Sequence, residues 1–227
     1  MKCCAKFWAI LCFSMLSGSA ALTAAGSEER HALFTGVLAA HVRGGLVDYQ
    51  NACHDERLPA YVRQLSETDP SILSEEDSKA FWINAYNAFT LRLICSHYPL
   101  KSISELHTGG LIFASAIGKT AWDSRFIQIN DRTYSLGQIE HKILRPVYKD
   151  ARIHFAIVCA ARSCPPLRPE AYEGFKLDEQ LDDQGRIFLA ERHDLNFFDS
   201  EERTAEISSI FSWFRKDFGG NQRGLLL

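Results

Sequence analysis

The chain has 227 residues, 28 acidic against 25 basic side chains, a net charge of −3 with histidine neutral, and 46% hydrophobic residues. No excess of positive charge is present to engage a nucleic-acid backbone, and a chain of this length can bury a sizeable core in one domain. Seven cysteines are too few for a disulfide scaffold at this size.

Lys2 and Lys6 precede the apolar run Phe7–Leu16, and small residues follow through Ala25. This is the layout of a secretory signal peptide over residues 1–25, with cleavage expected near Thr23-Ala24-Ala25. Its apolar part is too short to span a bilayer, so no stable membrane span is expected after removal. Cys12 follows Ala9-Ile10-Leu11 but lies too early in the run for a lipoprotein site. The product is expected to be exported, periplasmic or secreted. Losing Lys2 and Lys6 leaves 23 basic residues against 28 acidic, a net charge of −5. Four cysteines remain, Cys53, Cys95, Cys159 and Cys164, enough for two disulfides or for free thiols.

Residues 26–227 show no repeat or long linker and read as a single domain. Residues 28–65 read as helical segments separated by Gly44-Gly45 and Pro59. The clearest helix falls between Ser71 and Pro99: Ser74 can cap it, Glu75, Glu76 and Asp77 suit its positive end, and Pro99 closes the run. Trp82, Tyr86, Phe89 and Leu93 form one stripe, while Phe81, Ala88, Leu91 and Cys95 cover much of the other side, so the helix should be buried nearly all round. Asn84 and Asn87 then need buried partners. They either tie down neighbouring loops or line a site as hydrogen-bond donors.

Arg125–Ile129 and Arg132–Ser135 alternate around Asn130-Asp131 as a hairpin. Ser135-Leu136-Gly137-Gln138 reads as a capping box opening a helix over 136–145, with Pro146 as its end. Glu140 falls within the apolar face of that helix, where a carboxylate needs a cation, several donors or a bound proton. His141 lies at the edge of the same face. A structural Glu–Arg pair and a catalytic acid/base helix are both open readings.

Residues 154–162 read as a buried strand ending near Cys159, followed by a loop with Cys164, Pro165 and Pro166. Strand alternation would aim Phe155, Ile157 and Cys159 one way and His154 the other, making His141 the better partner for Cys159. Tyr172–Phe198 reads as a helix with Asp178, Glu179, Asp182 and Asp183 solvated, followed by the polar pair His193-Asp194. Phe211, Trp213 and Phe214 read as core.

The segments Phe81–Asn87, Ser135–Arg145 and Cys159–Pro165, with the trailing block Ser209–Gly219, together resemble the family catalogued as "domain of unknown function 547". The resemblance spans nearly all of residues 45–219. It implies an α/β (mixed α+β) single domain, often exported in bacteria, with suspected cysteine-hydrolase character centred on Cys159. A buried central helix packed on a small mixed sheet is the expected architecture.

Three functions fit these residues. A thiol hydrolase would use Cys159 as nucleophile and His141 as base on an amide or ester, with Glu140 or a buried Asn tuning the imidazole and Asn84 or Asn87 donating to the oxyanion. Its substrate would be a peptide or cell-envelope component. A non-catalytic binding or assembly module would instead carry a Cys159–Cys164 disulfide. A metal site on Cys159, Cys164, His141 and Glu140 lacks a compact ligand pattern, and neither metal nor cofactor is expected.

Overall fold

The computed structural model describes residues 19–106, 120–160, 164–192 and 194–220. Most of the expected leader, residues 1–18, therefore lies outside the described residues. No helix among the described residues is long and apolar enough to cross a membrane.

Helix α1 (Ser19–His41) leads into the ribbon β1 (Val42–Arg43) and β2 (Leu46–Val47), then α2 (Tyr49–Ala52) and α3 (Arg57–Glu67). Pro59 does not separate helices. It occupies the first turn of α3, where its missing N–H would have had no intrahelical partner. Leu58, Tyr61, Val62 and Leu65 supply the buried face of α3 at helical spacing, and Phe34 of α1 stacks on Tyr61 at 4.9 Å between ring centroids.

Helix α4 (Glu75–Cys95) is the centre of the molecule. The Ser74 side chain accepts from the Asp77 N–H, and Glu75, Glu76 and Asp77 fill the first turn, as the sequence leads one to expect. Every residue from Ala80 to Leu91 is buried. A disulfide joins Cys95, at its end, to Cys53 just after α2.

The second ribbon, β3 (Ile127–Ile129) with β4 (Arg132–Tyr134), pairs Ile127 with Tyr134 and Ile129 with Arg132. Asn130 takes the left-handed backbone (φ 48°) in place of the glycine the turn lacks, and its N–H donates to Ser66 O at 2.8 Å, tying the ribbon to α3. Ser135 and Gln138 form the capping box that opens α5 (Leu136–Gln138). The chain then continues as a π-helix over Ile139–Tyr148, straight through Pro146. In α winding the Pro146 ring would collide with the carbonyl four residues back, and the wider winding relieves that clash. The helix closes at Lys149, which is left-handed at φ 50°.

Residues Ile153–Ala156 form the short helix α6, and the backbone is extended only from Ile157. The strand expected over 154–162 is therefore absent from its described residues, and strand alternation cannot be applied to His154. Helix α7 (Leu177–Glu191) is shorter than the Tyr172–Phe198 span expected: a 3₁₀ turn precedes it, and Phe197 and Phe198 belong to β5 (Phe197–Asp199), paired with β6 (Thr204–Glu206). Helix α8 (Ile210–Trp213) follows.

The layout is thus mixed α/β in one domain, and the sheet content among the described residues lies in three separate antiparallel ribbons. The main core gathers α1, α3, α4, the ribbon β3–β4 and the π-helix. A smaller aromatic cluster joins Phe155, Phe188, Ile210 and Phe211, with Phe214 and Phe218 against it. Trp213, expected in the core, is 66% exposed.

Candidate functional site

Two neighbouring side chains of α4, Tyr86 and Asn87, organise the site. Asn87 Nδ2 donates to Ala156 O at 2.9 Å, and its Oδ1 accepts from Val158 N at 3.0 Å. One side-chain amide thereby replaces a neighbouring strand, satisfying the backbone on both sides of Ile157 just before Cys159. Asn84 serves Tyr172 in the same way, through Tyr172 O at 2.8 Å and Tyr172 N at 2.9 Å. Both asparagines therefore tie down backbone, one of the two roles open from sequence.

Cys159 and Cys164 are joined by a disulfide, with Cα atoms 6.2 Å apart. Between them Ala160 is left-handed at φ 57°, a conformation that strains a residue with a Cβ. The far side of the bridge is held from three directions. Arg192 Nη1 donates to Cys164 O at 3.1 Å, Gln184 Nε2 donates to Pro166 O at 2.5 Å, and Leu167 N donates to Gly45 O at 3.3 Å.

Gly45 sits in the turn between β1 and β2 at φ 76°, and a Cβ there would lie 2.1 Å from Pro166 Cβ and 2.8 Å from its Cα. Gly45→Ala is expected to cost about 2 kcal/mol, combining left-handed strain with displacement of the Pro166 segment. Gly44→Ala provides the comparison, because a Cβ at Gly44 (φ 55°) meets nothing within 4 Å. Its cost should be only the strain, about 1 kcal/mol. Equal denaturant midpoints for the two variants would show that the contact with Pro166 carries no weight.

The second part of the site is a charged cluster reaching from Tyr86 to the C-terminal block. Glu140 is buried on the π-helix, where residues five apart share a face, as do Ile139 and Leu144. Tyr86 approaches Glu140 Oε2 loosely at 3.5 Å and accepts from Trp122 Nε1 at 2.9 Å. Burial raises Glu140 to about 7, although Arg145 and the Tyr86 hydroxyl pull the other way. His141 Nδ1 lies 3.8 Å from Glu140 Oε1 and 3.0 Å from Arg145 Nη1. Since the guanidinium can only donate, this nitrogen of His141 accepts, in keeping with a pKa lowered by burial and then by Arg145.

Arg145 in turn grips Asp217 with Nε at 2.5 Å and Nη2 at 3.1 Å. His154 Nε2 donates to the same carboxylate at 2.7 Å, and its ring stacks on Phe214 at 3.8 Å between centroids. Burial lowers the His154 pKa, so at neutral pH a neutral imidazole donates to an ionised Asp217. The Asp217 carboxylate is held below its usual range, first by Arg145. Arg145 also lies over the Phe214 ring at 4.9 Å.

The structure thus brings Glu140 and His141 together and sets Asn87 against the Cys159 segment. No hydrogen bond joins His141 to Cys159, whose sulfur is engaged with Cys164. Trp122, Arg145 and Asp217 were not singled out from sequence, Tyr86 was read only as part of the apolar stripe of α4, and His154 only as pointing away from Cys159. The available signal was Asp217, one carboxylate in an otherwise aromatic and basic block. His193 lies outside the described residues, and Asp194 is paired with Arg192 at 2.8 Å. Among the described residues, no three His, Cys, Asp or Glu side chains converge to hold a metal ion. Chemically, Glu140 and His141 offer a proton donor and acceptor near neutral pH.

A family model described as "Protein of unknown function, DUF547" matches residues 70–189, just over half of the chain. The chain belongs to the DUF547 family. No curated protein and no solved structure matches it. The DUF547 span contains α4, the π-helix and both cysteines of the Cys159–Cys164 pair, whereas Gly45 and Asp217 lie outside it.

Proposed function

We propose that this protein is an exported, non-catalytic binding or assembly module whose Cys159–Cys164 disulfide clamps the segment leading to Pro166. The supporting observation is that bridge: a sulfur held in a disulfide has no thiolate to attack a carbonyl. A second pair, Cys53–Cys95, also suits an oxidising compartment, as does the leader-like run over residues 1–25. On this reading Glu140, Arg145, Asp217 and His154 brace α4 and the π-helix against the C-terminal block.

A second reading is a thiol hydrolase acting on an amide or ester once the bridge is reduced. Strain at Ala160 beside Cys159 and a carboxyl at Glu140 titrating near neutrality favour it.

Iodoacetamide labelling of the native protein, recovered from an oxidising compartment and mapped by mass spectrometry, separates the two. All four cysteines should stay unlabelled until a reductant is added. Stoichiometric labelling of Cys159 in the unreduced protein would reject the module and leave the hydrolase.

A further inference from the structure

Away from the cysteines, a groove of about 610 Å³ opens between the β3–β4 ribbon and the π-helix. Its volume falls within the range of small-ligand sites. Arg125, Arg132 and Lys142 line it with one opposing carboxylate, Asp131, so it is locally positive on a chain of negative net charge. Tyr134 and Gln138 also line it.

The hydrogen-bonding capacity of this lining is one-sided. Gln138 spends its Oε1 on the Ser135 N–H, which turns its remaining capacity toward donation from Nε2. Among the described residues, neither that Nε2, nor Lys142 Nζ, nor the Tyr134 hydroxyl has a hydrogen-bond partner. Arg125 gives one guanidinium nitrogen to Thr133 O at 2.8 Å, and Arg132 feels the charge of Asp69 without a hydrogen bond to it. Uncommitted donors carrying two excess positive charges match a ligand rich in acceptors.

We infer that the groove between the β3–β4 ribbon and the π-helix binds a small multivalent oxyanion, bearing several carboxylate or phosphate groups. Arg132 and Lys142 would engage separate oxyanion groups, with Gln138 and Tyr134 donating between them. The ribbon is tied to α3 through Asn130 and Ser66, and the π-helix packs on α4, so both walls are anchored to the same α3–α4 core. The inference does not depend on the redox state of Cys159 or on the module reading.

Titration calorimetry of the full chain at low ionic strength, with citrate and with inorganic tripolyphosphate as probes, tests it. One-to-one binding with a Kd below about 1 mM is expected for at least one probe, weakening as salt is raised. The stronger probe identifies the carboxylate or the phosphate as the preferred group. Arg132→Glu with Lys142→Glu should weaken binding at least tenfold, about 1.4 kcal/mol. Arg63→Glu with Arg186→Glu, the same charge change at two exposed sites elsewhere, should leave it within about twofold. If circular dichroism shows the groove variant unfolded, Arg132→Gln with Lys142→Gln replaces it with the same expectation. Saturable binding of neither probe, or an equal loss in the groove and control variants, overturns the inference.

Discussion

Glu140→Gln is expected to stabilise the fold at pH 8 by about 3 kcal/mol relative to the parent, while leaving it nearly unchanged near pH 4.5. Burial raises this carboxyl from 4.5 to about 7, so the folded chain binds the proton more tightly than the unfolded chain. The sign follows directly. Below pH 4.5 both states are protonated and the carboxyl costs nothing; between 4.5 and 7 stability falls as pH rises; above 7 the full penalty persists. Glutamine keeps the shape of the protonated acid and cannot ionise. Asp217 and Asp150, both held low by cationic partners, act in the opposite direction on acidification. The quantity to plot is therefore the difference between variant and parent in urea unfolding across pH 4.5–8. A flat difference would mean that Glu140 ionises as an exposed carboxyl does, and that its place in the apolar face is wrong.

Asn87→Ala should be the most damaging single change on α4 apart from its large apolar residues, at about 3–4 kcal/mol. It removes both partners of a buried backbone segment at once, orphaning Ala156 O and Val158 N, and leaves a small void beside Ile157. For a chain of this size the melting temperature should fall by about 6–16 °C. Asn87→Asp should rescue little. It keeps an acceptor for Val158 but loses the donor to Ala156 and buries a charge. A loss under about 1 kcal/mol for Asn87→Ala would show that water substitutes for the amide and that the Cys159 segment does not depend on it.

The central helix was legible because its signals agree: a Ser cap, an acidic first turn, and apolar residues on nearly every face between Ala80 and Leu91. The β3–β4 ribbon and the Ser135 capping box were equally legible, since both rest on contacts within a few residues. The burial of Glu140 followed from its place among Leu136, Ile139 and Leu144. The strand expected at 154–162 was not correctly read, because an apolar run looks alike in a strand and in a short buried helix. What holds the backbone on either side of the extended Ile157 is Asn87, a residue some seventy positions away. Pro146 misled for a related reason, since the rule that it ends a helix assumes α winding. Asp217 is visible in the sequence as one carboxylate in its block, but its partners Arg145 and His154 are recognisable only once the C-terminal block has folded back.

That fold-back bears on how the protein is made. As the chain emerges from the ribosome, α4, the π-helix and α6 are all available before Asp217 has been added. Until then Arg145 and His154 lack their shared carboxylate, and Phe155 and Phe188 lack Phe211 and Phe218. An expression product ending at residue 189, where the family match stops, would hold the nascent chain at that stage. Phe211, Asp217 and Phe218 therefore belong to the folding unit although they lie beyond the family match.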